Sequence, residues 1–589
     1  MGSVGRKERS QMRLSMLLGK RLKEKPSDAV IASHTFLIRG GYARQIARGI
    51  YSLLPAARRI THKIETIIRE EMDRIGGQEV LLPIVIPAEL LDESGRYGSA
   101  GPELVRFEDR TGRGLVLGMT HEEAVVQLCR SEVESYKQLP FMVYQIQEKF
   151  RYEARPRGGL IRAREFTMKD AYSFHAAQED LDDYYETCKT AYRRIFARAG
   201  IPETAIVESN PGMMGGNTAH QFMLLCDAGE DTIMSCPHCG YLANLDVATG
   251  RIEGFAEGPQ ALEQVKTPGQ QTIEGVANYL KVPTRKVAKV VFYDRDDSDR
   301  LVLAVVRGDI EINEAKLARI IRREPVLAEH DRITSFGAVP GFASLLDVNP
   351  DRCRIVVDHS VAGSNNLVCG ANKVDWHMKN FNLAREVPNC QTLDIAKARE
   401  GDGCPHCSKP LGLQRGIEVG SIRQLGTKYS QAMGMRYIDK DGNARAPLMG
   451  SYGIGVGRLM AAVMEAHRDG YGPIWPMSIA PWHVHIVAIG AENQDVARAA
   501  EALYDDLGTA GIETVWDDRN ERAGVQFADA DLLGVPLRIV IGAKTLAKGG
   551  VELLRRGERA GQIVTTNEVV GLVRRKIHED LQGLSDSLP

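Results

Sequence analysis

A chain of 589 residues is too long for one hydrophobic core and points to several domains. With 43% hydrophobic and 26% charged residues it has the balance of a soluble globular protein able to bury several cores, so disorder is not the default reading. A formal net charge of -2 gives no global attraction to a polyanion, so any nucleic-acid contact must come from local basic clusters. No apolar run reaches the ~20 residues of a membrane helix, and the basic start through Lys25 lacks a signal-peptide core. The expectation is a cytoplasmic protein with no membrane partner.

In chain order, Ile60, Ile64, Ile67, Ile68 and Met72 recur at helical spacing and predict a helix over 57–75, stopped by Gly76-Gly77. The run 79–86 reads as extended, and Pro83 within it, lacking a backbone donor, places it at a sheet edge. Residues 141–166 predict a hairpin. Tyr144 and Ile146 alternate with Gln145 and Gln147, 154–159 make the turn, and the return strand carries Arg162, Arg164 and Phe166 on one face. A helix follows over 179–199. Between Cys236 and Cys407 strands such as 289–292 and 301–306 mix with short helices, enough for an independent α+β domain. A glycine-rich strand, 450–458, then leads into a helix through His467. From His483 to Leu588, strands at 484–489, 514–516 and 537–541 alternate with helices at 496–507 and 527–533, an α/β domain.

Two clusters carry chemistry. Arg151, Arg155, Arg157, Arg162 and Arg164 lie on the one predicted hairpin with Glu153 and Glu165 between them. Guanidinium groups on a stiff hairpin suit bidentate phosphate binding, although a salt-bridged surface hairpin has the same composition. In the second cluster Gly453, Gly455 and Gly457 allow close approach of a ligand, and Arg458 opens the next helix. The spacing is neither a dinucleotide fingerprint nor a phosphate loop, and a packing role is the competing reading.

Together the clusters resemble motifs 2 and 3 of the class II aminoacyl-tRNA synthetases, with the helix and Pro83 segment similar to motif 1. The stretches 118–124, 136–140, 162–175, 415–420 and 424–430 narrow the resemblance to bacterial prolyl-tRNA synthetases, in the family's order over nearly the whole chain. The resemblance implies an α+β multidomain fold. Residues 1–244 and 403–483 would form a catalytic core on an antiparallel sheet, 245–402 an inserted editing-like domain, and 484–589 an anticodon-binding domain. It implies a homodimer that joins L-proline to tRNA(Pro) with ATP and Mg²⁺. A paralogue that binds RNA without catalysis is the alternative, and degraded motif arginines would be its sign.

The family's roles carry over by position. Arg151 and Arg458 would act in catalysis and hold ATP, with Glu153 and Arg162 completing the nucleotide site. Thr120, Glu122, Arg151 and His220 would hold proline, and Arg155 and Arg157 would meet the tRNA acceptor end. Ser451 stands where relatives often have cysteine, and Asn217-Thr-Ala219 differs from the usual Ser-Ala-Ser. Cys236, Cys239, Cys404 and Cys407 form two Cys-x-x-Cys pairs, whose readings stay open between one structural Zn²⁺, free thiols and a redox pair. In the insertion, Lys289 and His377 fall at the editing positions. Leu345 replaces a proline of the family's loop, which leaves hydrolysis of alanyl-tRNA open between intact and decayed.

Overall fold

The computed structural model describes residues 11–210, 216, 218–346, 348, 351–388 and 390–586. Met1 to Ser10, Gly215, Asn217 and Leu588, which entered the sequence reading, lie outside the described residues. The chain divides into two compact units, one made of 1–206, 211–230 and 416–589, the other of 207–210 and 231–415.

In the first unit a largely antiparallel sheet carries the strands Thr218–Leu225, Gly412–Gly426, Leu448–Gly455, Glu165–His175 and Phe141–Phe150, in that spatial order. The short strand Gly77–Glu79 closes the edge beside Phe141–Phe150 in parallel register. Pro83 lies just beyond this edge strand, where the missing donor costs no ladder bond. The isoleucine periodicity produces the helix Pro55–Arg74, whose Ile60, Ile64, Ile67, Ile68 and Met72 are all buried. They share one core with Tyr144, Tyr192, Phe196 and Phe222, and with Leu459 and Met460 of the helix Val456–Ala466.

Gln145 is fully buried, and its amide accepts from the Leu82 N–H and donates to Asp170. One local expectation is corrected. Arg162 and Arg164 are not on the return strand, which begins at Glu165. Gly158 and Gly159 both sit at φ +63°, a conformation open to glycine. They fold the chain back so that Arg157 and Arg162 exchange backbone hydrogen bonds in a loop of their own.

The C-terminal part of this unit is a second sheet. Thr514–Asp517, Val484–Ile489 and Leu537–Gly542 run parallel, followed by antiparallel Val551–Arg555 and Gln562–Val564. Helices Gln494–Thr509 and Ala523–Leu533 extend the predicted ones by a few residues. The edge strand comes from the other end of the chain, since Gln11–Arg13 pairs in parallel with Thr514–Trp516. Ser15 then caps the junction, donating from its N–H and hydroxyl to the Asp518 carboxylate.

The second unit has two small sheets. One pairs Glu263–Lys266, Trp376–Phe381 and Leu367–Gly370 in antiparallel register. The other orders Ala288–Tyr293, Leu301–Arg307, Cys353–Asp358 and Thr392–Leu393. The unit is wider than 245–402. Met234, Cys236, Tyr241, Ala243 and Ala248 share a buried cluster with Ala398, Cys404 and Leu411, which draws both cysteine pairs into it. Among the described residues no helix is long and apolar enough to cross a membrane.

Candidate active site

The strand Phe141–Phe150 delivers Arg151 to the sheet's working face. Its guanidinium donates to the Met119 carbonyl at 3.3 and 3.2 Å and lies 5.2 Å from the Phe166 ring. Burial, and then the charge of Arg458, push its pKa down to about 10. Arg458 stands in the first turn of Val456–Ala466. It is anchored by donation to Ile161 O at 2.8 Å and Glu418 O at 3.3 Å, and lies 3.7 Å from the Glu418 carboxylate. Both cations are anchored by backbone carbonyls, and the Glu418 carboxylate offsets part of the Arg458 charge. Glu153 pairs with Arg162 at 2.9 Å; burial works against its charge, but that hydrogen bond outweighs it and lowers the carboxyl pKa. Arg157 and Arg162 both face Glu230, at 2.5 and 3.7 Å, whereas Arg155 is exposed.

At Gly453 a Cβ would meet the Met168 methyl at 2.3 Å, so the glycine leaves room for that side chain in the strand packing. Gly455 and Gly457 are partly exposed and have ordinary neighbours.

Beside Arg151 is a polar pocket that the sequence only half revealed. Arg96, 3% exposed, donates to Thr120 Oγ1 at 2.6 Å and to Glu122 at 3.1 Å, and lies 3.0 Å from Glu123. It also reaches the Tyr429 hydroxyl at 3.3 Å. Burial opposes the Arg96 charge, yet Glu122 and Glu123 outweigh it and raise its pKa. For Glu122 burial is again the largest influence, but Arg96 overrides it and keeps this carboxyl ionised. Glu123 is pushed up, by burial and by the charge of Glu122. Two carboxylates around one guanidinium thus have different proton affinities. The preceding residue, His121, is fully buried; its Nε2 faces Pro83 O at 3.0 Å, so that nitrogen is the donor. Beneath, Lys149 and Asp170 form a buried pair at 2.7 Å.

His220 is held by Tyr185, whose hydroxyl is 2.9 Å from Nδ1. Burial and then Lys189 push it down to about 4, so it is neutral at pH 7. Thr120 and Glu122 share the Arg96 guanidinium, Arg151 is anchored on the carbonyl of the adjacent Met119, and His220 stands on the strand Thr218–Leu225.

In the second unit Lys289 and His377 line one cavity of about 440 Å³, with Pro340, Gly341, Ala343 and Gly370. His377 is 2.6 Å from the buried Thr267 hydroxyl, and burial lowers its pKa. A Cβ on Gly370 would lie 2.0 Å from Ala343 O, so the loop 340–345 packs on bare backbone. Leu345 is turned away from the cavity and buried with Ala288, Val305, Val357 and Phe381. The four cysteines come together too, with all Sγ atoms within 4.8 Å of one another.

A larger cavity, about 690 Å³, lies in the first unit among Lys63, Glu71, Arg194, Arg198, His483 and Glu513. Its charges are mutually paired, as Glu71 is with Arg194 and Arg198 and Lys63 is with Glu513.

Arg96, Glu418, Tyr429 and the Lys149–Asp170 pair were missed by sequence reasoning. Glu418, Tyr429, Lys149 and Asp170 lie in or beside stretches that carried the resemblance; Arg96 had no signal beyond its buried-helix neighbours.

The tRNA synthetase class II core domain (G, H, P, S and T) profile matches residues 105–467, and the anticodon binding domain profile matches 483–576. A proline–tRNA ligase of Dehalococcoides mccartyi is 44% identical over 561 residues, covering 95% of this chain and 98% of that protein. One of Salinispora tropica is 45% identical over 576 residues, covering 96% of each. Among solved structures, prolyl-tRNA synthetase from Cryptosporidium parvum complexed with halofuginone and AMPPNP is similar with a TM-score of 0.56. It is 13% identical, with 96% of this chain and 80% of that chain covered, and shows the fold alone.

Proposed function

We propose that this chain, which belongs to the proline–tRNA ligases of class II, performs its ligation in the cleft between Arg151 and Arg458. The observation that carries this placement is the anchoring of both guanidinium groups by backbone carbonyls, Arg151 at the end of the strand Phe141–Phe150 and Arg458 in the first turn of Val456–Ala466. The paralogue reading is not favoured, since Arg151, Glu153, Arg162 and Arg458 all stand.

ATP enters as its Mg²⁺ complex. The carboxylate of L-proline attacks the α-phosphorus; a carboxyl–phosphorus bond forms, the α–β bridge breaks, and pyrophosphate leaves. Arg151 faces the negative charge that builds there, and Arg458 takes the terminal phosphate. Glu153 and Arg162 hold the nucleotide. No side-chain nucleophile is needed, because positioning and electrostatics suffice. Glu122, kept ionised by Arg96, meets the cationic ring nitrogen, with Thr120 beside it and His220 on the far wall.

In the second step the terminal ribose hydroxyl of tRNA(Pro) attacks the prolyl carbonyl and AMP leaves. Arg155, exposed on the 151–164 loop, and Arg157 guide that acceptor end. The chain acts as a cytoplasmic homodimer, with Pro55–Arg74 and the Pro83 segment at its interface. In the inserted unit, Lys289 and His377 hydrolyse alanyl-tRNA that escapes the proline pocket, since a missing methylene discriminates by only ~1–3 kcal/mol. Supporting this, the cavity around them is formed and Leu345 does not intrude. A structural Zn²⁺ fits the four cysteines, and no step of ligation passes through it.

The test is amino-acid-dependent pyrophosphate exchange with each of the twenty amino acids. Proline alone should support strong exchange; equal exchange with threonine would overturn the assignment.

A further inference from the structure

Cys236-Pro-His-Cys239 and Cys404-Pro-His-Cys407 fold into the same turn twice. In each, the residue four after the first cysteine donates its N–H to that cysteine's carbonyl, Gly240 to Cys236 at 3.0 Å and Ser408 to Cys404 at 2.9 Å. These residues are left-handed in both copies, Gly240 at φ +77° and Ser408 at φ +62°. For serine that conformation is strained, and the surrounding turn must hold it there. Backbone N–H groups point at the sulfurs: His406 N lies 3.4 Å from Cys404 Sγ, His238 and Cys239 donate to Cys236, and Lys409 donates to Cys407. Such donors stabilise thiolate ligands, and a set of four thiols has no apolar reason to be wrapped this way.

The two turns face one another across the segment ends. Cys236 Sγ is 3.5 Å from Cys407 Sγ, and Cys239 Sγ is 3.5 Å from Cys404 Sγ. A tetrahedron built on zinc–sulfur bonds of about 2.3 Å has edges of about 3.8 Å, which these distances bracket with the 4.8 Å limit of the set. The Tyr241 and His406 rings pack edge to face at 5.1 Å, and Arg251 ties the second turn down through Pro405 O and Ser408 Oγ. The local core is thin, consisting of Met234, Tyr241, Leu411, three alanines and two of the cysteines. A core that small needs a staple.

We propose that Cys236, Cys239, Cys404 and Cys407 bind one Zn²⁺ that clasps the first and last segments of the inserted unit, 231–415. The metal closes a loop of more than 160 residues, a closure costly in entropy, and so supplies folding energy to the unit. Its ligands are all thiolates, so no position is open and the site is structural. The proposal stands on the thiols and is independent of whether the unit hydrolyses alanyl-tRNA.

The test is elemental analysis of the purified full chain, with Co²⁺ exchanged for the native metal and the Cys239→Ser and Cys407→Ser variants alongside. Expected are about one zinc per chain, the visible bands of tetrahedral thiolate Co²⁺, and loss of both in each variant. Limited proteolysis should then cut the metal-free chain between 231 and 415 at least about tenfold faster, with proline-dependent pyrophosphate exchange retained. Should a variant fail to fold, the wild-type stoichiometry and cobalt spectrum still decide. Four freely titrating thiols without metal, or disulfides joining Cys236 to Cys407 and Cys239 to Cys404, would overturn the proposal.

Discussion

Arg96 and Glu122 meet at 3.1 Å with their side chains 4% and 2% exposed. The same guanidinium holds Thr120 and Glu123, so one cation organises three groups of the proposed proline pocket. Arg96, together with a hydrogen bond from Thr120, keeps Glu122 ionised against burial.

Arg96→Met should therefore weaken proline use more than ATP use. Breaking a buried pair by removing one partner costs about 3–5 kcal/mol, so the variant should also melt earlier. In pyrophosphate exchange the KM for proline should rise by roughly tenfold or more, the equivalent of about 1.4 kcal/mol, while that for ATP stays within about twofold. Arg96→Lys, which keeps the charge and loses the fork, should fall between. An unchanged KM for proline in Arg96→Met would remove Arg96 from the site.

Arg155, exposed on the loop, is proposed to act in the transfer step alone. Arg155→Ala should slow tRNA charging by roughly tenfold, the cost of one charge-assisted contact, and leave pyrophosphate exchange nearly intact. Parallel loss of both activities would place it in the ATP site instead.

The cavity around Lys289 and His377 predicts a second activity. Wild-type protein should deacylate alanyl-tRNA, and Lys289→Ala and His377→Ala should each abolish this without affecting proline activation. Because Leu345 is a core residue here, Leu345→Pro should not improve hydrolysis. It should destabilise the unit by about 2–5 kcal/mol, as large core truncations do. No wild-type hydrolysis, with recovery in Leu345→Pro, would instead reveal a decayed site.

His121 sets an acid limit. Burial, and then Lys149, push it down to about 4 in the folded chain, against an ordinary value of 6.5. Above pH 6.5 neither state binds the proton, and His121 adds no pH dependence. As pH falls from 6.5 toward 4 the unfolded chain takes up the proton and the folded chain does not. Stability then declines by at most about 1.4 kcal/mol per pH unit from this group. Urea midpoints measured across that window should fall for wild type and fall less steeply for His121→Gln. An identical slope in the variant would mean that His121 does not carry the effect.

The chain's local spacing determined a good deal. Isoleucines at helical intervals fixed the buried face of Pro55–Arg74, and the knuckle repeats located both cysteine pairs. Arg151 and Arg458 were legible because strand-to-loop and strand-to-helix junctions are written in neighbouring residues. Spacing along a covalent chain encodes which face of an element is apolar and where it stops.

Only the tertiary structure decided which distant residues share a charge. Arg96 finds Glu122 across 26 positions and Tyr429 across 333. Gln145 is buried, against the alternation of its strand, because Asp170 and Leu82 supply its partners. Gln11–Arg13 finds its sheet at the opposite end of the chain, on Thr514–Trp516. Such pairings depend on where segments cross and on how little water remains there, and burial alone makes an ion pair or an edge strand obligatory. No local pattern contains that information.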